Sequence, residues 1–166
     1  MTKILEKANV FKKIMGLYPT GVTIVTTSDE KGNPVGLTVN SFASVSISPL
    51  MVLWCIDKNS SSLDAFLQAD KYAVHTLSEQ QKEACWAFAG KEKDRFSKVH
   101  WESSSNGLPI IKDSLGVFEC KTVSKSEAGD HIILLGEVID LSITDQSPLL
   151  YYNRNVGPIP EGWPES

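Results

Sequence analysis

Residues 50–56 (LMVLWCI) constrain this chain more than any other segment. An unbroken apolar run of this length, closed off by Pro49 before it and Asp57-Lys58-Asn59 after it, predicts a strand buried on both faces. The segments around it are also strand-like. Residues 21–27 (GVTIVTT) are β-branched, 35–40 return after the loop Asp29-Glu30-Lys31-Gly32-Asn33-Pro34, and 43–47 (ASVSI) alternate small and apolar. Further strands are predicted over 72–77, 116–124 and 131–142, the last two joined by the turn Glu127-Ala128-Gly129-Asp130. Helical spacing is confined to three places. Ile4, Leu5, Ala8, Phe11, Ile14 and Met15 mark a helix over 4–15, Leu63, Phe66 and Leu67 a second, and Ala84, Ala87 and Phe88 one over 79–89. Residues 90–114 read as irregular, and the proline-bearing tail 153–166 reads as extended. Helix does not alternate regularly with strand, which argues against a doubly wound sheet. The pattern predicts a mainly β fold, a closed antiparallel barrel with two to three peripheral helices.

The chain has 166 residues and reads as one domain, 1–166, with its core over about 11–152. Its net charge of −4 argues against nucleic acid as a partner. Cys55, Cys85 and Cys120 have no CxxC spacing, so neither a zinc site nor a redox dithiol is expected, and free thiols suit a reducing compartment. The N-terminus lacks the apolar core of a signal peptide, and no apolar stretch is long enough to cross a membrane. A cytoplasmic protein with no membrane contact and no metal site is the expectation.

There is no GxGxxG, no P-loop and no GxSxG elbow. Four other segments could carry chemistry. Asp57-Lys58-Asn59-Ser60-Ser61-Ser62 leaves the apolar strand and opens a helix. Free N–H groups, hydroxyls and the Lys58 charge there suit a phosphate, while a serine acting only as N-cap would explain the same residues. Thr38-Val39-Asn40-Ser41-Phe42-Ala43-Ser44-Val45-Ser46, at a strand end before the apolar strand, carries small and polar groups that either face a heterocycle or meet solvent at a strand edge. Lys91 to Arg95 form a basic loop between Phe88 and Phe96, either solvated or facing an anion. Gly129-Asp130-His131 is a turn that delivers a histidine to a strand start.

Taken in order, these pieces resemble the flavin reductase-like family with the FMN-binding split barrel. That family includes the small reductase components of two-component aromatic monooxygenases. The resemblance rests on Tyr18-Pro19-Thr20-Gly21-Val22-Thr23-Ile24-Val25-Thr26-Thr27, Leu37-Thr38-Val39-Asn40-Ser41-Phe42, Ser44-Val45-Ser46, Asp94-Arg95-Phe96, Gly107-Leu108-Pro109 and Gly129-Asp130-His131. It implies a six-stranded antiparallel Greek-key barrel and a homodimer with flavin near the subunit interface. It implies that Thr38, Val39, Asn40 and Ser41 contact the isoalloxazine and ribityl chain, and that Cys55, Ile56, Asp57 and Lys58 run beside the flavin. Ser60, Ser61 and Ser62 match the phosphate turn, Lys93 and Arg95 the basic loop near the phosphate or adenylate, and His131 the nicotinamide side.

The implied activity is reduction of FMN or FAD by NAD(P)H, with reduced flavin passing to a monooxygenase. In that role His131 orients the nicotinamide as a hydrogen-bond donor. The same residues would also suit a flavoprotein reduced by a protein donor, or a ferric or flavin reductase that retains its flavin.

Overall fold

The computed structural model describes residues 2–163. The N-terminal periodicity forms helix α1 (Thr2–Leu17), on which Phe11 and Ile14 remain exposed. A two-residue strand β1 (Thr20–Gly21) leads into the hairpin of β2 (Thr23–Ser28) and β3 (Pro34–Val39). The Asp29 carboxylate accepts the N–H groups of Lys31 and Asn33 and so fixes the loop of that hairpin. Next come β4 (Ala43–Ile47), β5 (Leu50–Asp57), α2 (Leu63–Gln68) and β6 (Lys71–Thr76). A 3-10 turn, Glu79–Gln81, carries a reciprocal cap between Ser78 and Gln81 and feeds α3 (Lys82–Ala89).

Within the stretch read as irregular, β7 (Trp101–Ser103) pairs with β8 (Pro109–Ile111). Buried Glu119 explains this small hairpin, because its carboxylate accepts from Ser104 Oγ and Asn106 Nδ2. Two long strands, β9 (Gly116–Ala128) and β10 (His131–Ile143), then form a hairpin whose turn needs Gly129 at φ +64°. The chain continues into β11 (Leu150–Tyr152) and β12 (Asn155–Gly157).

The main sheet is antiparallel, in the order β3-β2-β6-β9-β10-β5-β4, so short β4 adds a seventh strand. Its edges, β3 and β4, form no ladder with each other. Instead Ser41 in the link between them accepts the Cys55 N–H at 2.9 Å, tying that link to β5. The result is a split rather than a closed barrel, with the helices outside it.

The barrel interior holds Val25, Trp54, Phe66, Tyr72, Val74 and Leu134. A second cluster under α3 joins Val22, Ile24, Leu77, Phe88, Ile111 and Leu149. His75 sits between them, fully buried, with Nδ1–H donating to Ile24 O and Nε2 accepting from the Ile111 N–H.

Two expectations change. The 50–56 run is a strand, but only Val52, Trp54 and Ile56 are buried. Met51, Leu53 and Cys55 stay half-exposed, since no helix or second sheet among the described residues covers that face. The start of the tail is also not extended chain alone. Asn155–Gly157 pairs with β11, which pairs with β1, and Val156 is buried against Leu149 and Val22. No helix among the described residues is long and apolar enough to cross a membrane.

Candidate functional site

Strand β3 and helix α3 build one wall of the site, and they are fastened at both ends. At the far end of β3, Thr38 Oγ1 donates to the Cys85 carbonyl at 2.7 Å. Toward its start, the Arg95 guanidinium donates to the Gly36 carbonyl at 2.6 Å and to the Gly90 carbonyl at 2.7 Å. Between these ties Phe88 packs on Gly36 so closely that a Cβ there would lie 2.9 Å from the ring. Glycine is what lets the helix approach this strand.

A cavity of about 330 Å³ opens beside the start of β3. It brings Ser61 and Ser62 together with Lys91, Lys93 and Arg95. The serines and the basic loop lie some thirty residues apart in sequence, so their meeting is a product of the fold. Arg95 spends two nitrogens on carbonyls, and its buried Nε has no partner among the described residues. Burial lowers its pKa from the usual guanidinium value, yet the group remains charged at neutral pH. Arg95 forms no ion pair among the described residues. Hydroxyl donors and cations around an unpaired guanidinium suit a phosphate.

The start of α2 brings Ser61 and Ser62 to that cavity, but without a side-chain cap. α2 has only six residues, and the Ser62 side chain makes no capping bond. Ser60 Oγ accepts the Ser62 N–H at 3.2 Å, which shapes the turn and leaves Ser61 and Ser62 toward the cavity.

The other residues singled out in the sequence take different places. Val39 and Ile56 turn their side chains into the barrel, so at the site they offer backbone atoms. Ser41 is committed to Cys55, Asp57 to the Asn59 N–H at 2.7 Å, and Lys58 to Glu127 at 3.1 Å. Asn40 is exposed and lines two cavities at the end of β3. Cys55 is half-exposed on the outer face of β5, opposite Ile133, and on the same face His131 lies opposite Asp57.

His131 Nδ1 lies 2.8 Å from Asp130 Oδ1. A carboxylate can only accept, so Nδ1 carries the proton there. That leaves Nε2 of the neutral ring as an acceptor, and only the protonated ring would donate from it. The donor role expected for His131 therefore holds for the imidazolium, while the neutral ring would accept an amide N–H. Hydrogen bonding to His131 holds the Asp130 carboxyl below its usual pKa.

Sequence reasoning passed over Gly36, Trp86 and Tyr151. Gly36 supplies a carbonyl to Arg95, and the two aromatics line a cavity at the end of β3. Nothing local marks them. Trp86 follows the helical period of α3 on its outward side, and Tyr151 belongs to a three-residue strand.

The flavin reductase like domain model matches residues 15–160 of the chain. A Rhizobium meliloti (strain 1021) protein named "Probable flavin reductase" is 40% identical over 138 residues, 83% of this chain, and the chain spans 44% of that relative's length. The reductase subunit HsaB of a flavin-dependent monooxygenase from Rhodococcus jostii (strain RHA1) is 38% identical over 143 residues, covering 86% of this chain and 73% of that one. A solved structure of the NADH:FAD oxidoreductase SgcE6 from Streptomyces globisporus C-1027, in complex with NAD and FAD fragments, superposes with a TM-score of 0.86 at 32% identity, covering 92% of each chain.

Proposed function

The chain belongs to the flavin reductase like domain family, and from that premise we propose that it uses NADH or NADPH to reduce FMN or FAD and passes the reduced flavin to a monooxygenase. The observation that carries this reading is the cavity joining Ser61 and Ser62 to Lys93 and Arg95. It offers hydroxyl donors and positive charge, in a chain of net charge −4 that would otherwise repel an anionic cofactor.

When bound, the flavin supplies the two-electron acceptor for hydride from a reduced nicotinamide. The chain supplies position. Ser61, Ser62 and Lys93 hold the phosphate, and Arg95 adds charge while locking the loop to Gly36 and Gly90. The backbone of Thr38 to Ser41 and of Cys55 to Lys58, with the Asn40 side chain, borders the ring system. His131, held by Asp130, orients the carboxamide of the nicotinamide. No side chain needs to deliver a proton during that transfer.

The relatives that are monooxygenase reductase subunits support a monooxygenase partner. We infer a homodimer as well, from an outer face on β5 and β10 where half-exposed Leu53, Cys55, Ile133 and Leu135 stand side by side with no covering element among the described residues. The cytoplasm is the proposed compartment, in keeping with three unpaired cysteines.

A flavin titration with Lys93→Ala tests the phosphate cavity. FMN should bind about fivefold more weakly, in line with about 1 kcal/mol for a partly exposed charge–charge contact, with a smaller loss at high salt. Riboflavin, which has no phosphate, should be unaffected. Equal weakening for FMN and riboflavin would remove the phosphate from this cavity.

A further inference from the structure

Helix α1 buries no side chain between Ile4 and Met15. Its backbone tie to the body, among the described residues, is Gly16 O accepting the Asn153 N–H at 2.7 Å. A helix of this length is marginal in water by itself and draws its stability from packing an apolar face. Such a face is present. Ile4, Ala8, Phe11 and Met15 recur at i, i+4, i+7 and i+11, with Ile14 at the border of the stripe and Lys7 and Lys12 beside it.

A second surface without a partner lies on β10. Its ladder with β5 ends at the pair Glu137–Met51, and from Val138 to Ile143 it pairs only with β9 among the described residues. One backbone edge is open there. Ile139, Leu141 and Ile143 are exposed along it, as are Ile47 and Leu50 where β4 meets β5. Proteins cover an open edge of this kind, often with a helix, because it invites indiscriminate pairing.

The two surfaces match in length and in charge. α1 is about 24 Å long, and β10 from Leu135 to Ile143 runs about 27 Å. α1 carries four lysines and one glutamate, a net +3 within a chain of −4, so the rest of the chain stands at −7. Exposed Glu137 and Asp140 place part of that negative charge on the β10 strip. The strip also continues, along the same strand, the Ile133 and Leu135 face.

We propose that α1 is an arm that docks on the β10 strip of a second copy of this chain. Its apolar stripe covers Ile139, Leu141 and Ile143, and its lysines meet Glu137 and Asp140. The exchange is reciprocal, since a two-fold pair gives and receives one arm on each side. The inference rests on the dimer inferred above and names the element that closes it.

Sedimentation of the full chain over a range of concentrations tests the arm. Phe11→Glu with Ile14→Glu should weaken the dimer at least about a hundredfold, the loss expected when two large apolar side chains stay in water. Lys7→Glu with Lys12→Glu should weaken it about tenfold, and adding Glu137→Lys with Asp140→Lys to the same chain should restore it. Near-UV circular dichroism, which reports the packed Trp54, should not change in any variant. A changed spectrum would show that α1 supports its own chain and would overturn the proposal. A dimer as tight in the α1 variants as in wild type would overturn it too, leaving the helix for another protein and the dimer to the β5–β10 face. Charge reversal that is not restored would remove β10 as the receiving surface. A monomeric wild type would sink the dimer and the arm together, whereas a dimer that ignores flavin would sink only the reductase reading.

Discussion

His75 is held neutral by its surroundings. Full burial pushes its pKa down to about 4, and both ring nitrogens are already used, one donating to Ile24 and one accepting from Ile111. The unfolded chain takes up a proton near pH 6.5, while the folded one resists until about 4. Stability is therefore full above pH 6.5, falls as the pH drops toward 4, and is flat in this respect below that. The total is about 3 kcal/mol from linkage. Asp29 and Asp130, whose carboxyls are held below the ordinary value of 3.8, act only further down, as the pH falls below that value. Urea unfolding at pH 7.5 and 5.0 should show the loss in wild type and a much smaller one in His75→Gln. A pH-independent midpoint across that range would contradict the assignment. From sequence His75 was only a strand residue, because its partners lie 51 and 36 residues away. The site shows the same limit. Ser61, Lys93 and Arg95 were legible as residue types that favour anions, yet their meeting in one cavity was not, and neither was the use of the Thr38 and Ser41 hydroxyls as internal ties.

Among the elements, the β9–β10 hairpin depends most on one small residue. At Gly136 a Cβ would sit 2.7 Å from Tyr72 Cζ and 3.1 Å from Cys120 Cβ. The Tyr72 hydroxyl pressed against this glycine is buried and has no hydrogen-bond partner among the described residues. Gly136→Ala should cost about 3 kcal/mol by overpacking, measured by chemical denaturation. Tyr72→Phe alone should be neutral or stabilising, because it removes a buried unpaired hydroxyl, and it should recover part of the Gly136→Ala loss. Independent, additive effects of the two changes would show that they do not meet in this way. Most elements were legible, since β-branched runs and helical spacing act locally. The exceptions have long-range causes. The β7–β8 hairpin is pinned by Glu119 from β9, and the β11–β12 turn places Asn153 and Arg154 at φ +49° and +62° with no glycine to mark it.

For the whole molecule, the main misreading concerned the outer face of β5. A continuous apolar run looks the same whether its second face meets a layer of its own chain or is left for another surface. Leu53 and Cys55 belong to the second case, as does exposed Ile47 on the adjacent β4. A second copy of the chain is the proposed cover. Analytical ultracentrifugation at micromolar concentration should find a dimer and Leu135→Lys a monomer, and a monomeric wild type would contradict the dimer. The central claim, that this chain passes electrons from a nicotinamide to a flavin, is tested most directly by the absorbance of the purified protein with FMN or FAD before and after anaerobic NADH or NADPH. The account predicts that the flavin bands bleach without any partner protein, and that His131→Ala binds flavin as before but needs far more reduced nicotinamide. Flavin that stays bound and oxidised in the presence of both nucleotides would contradict it and point to a protein electron donor.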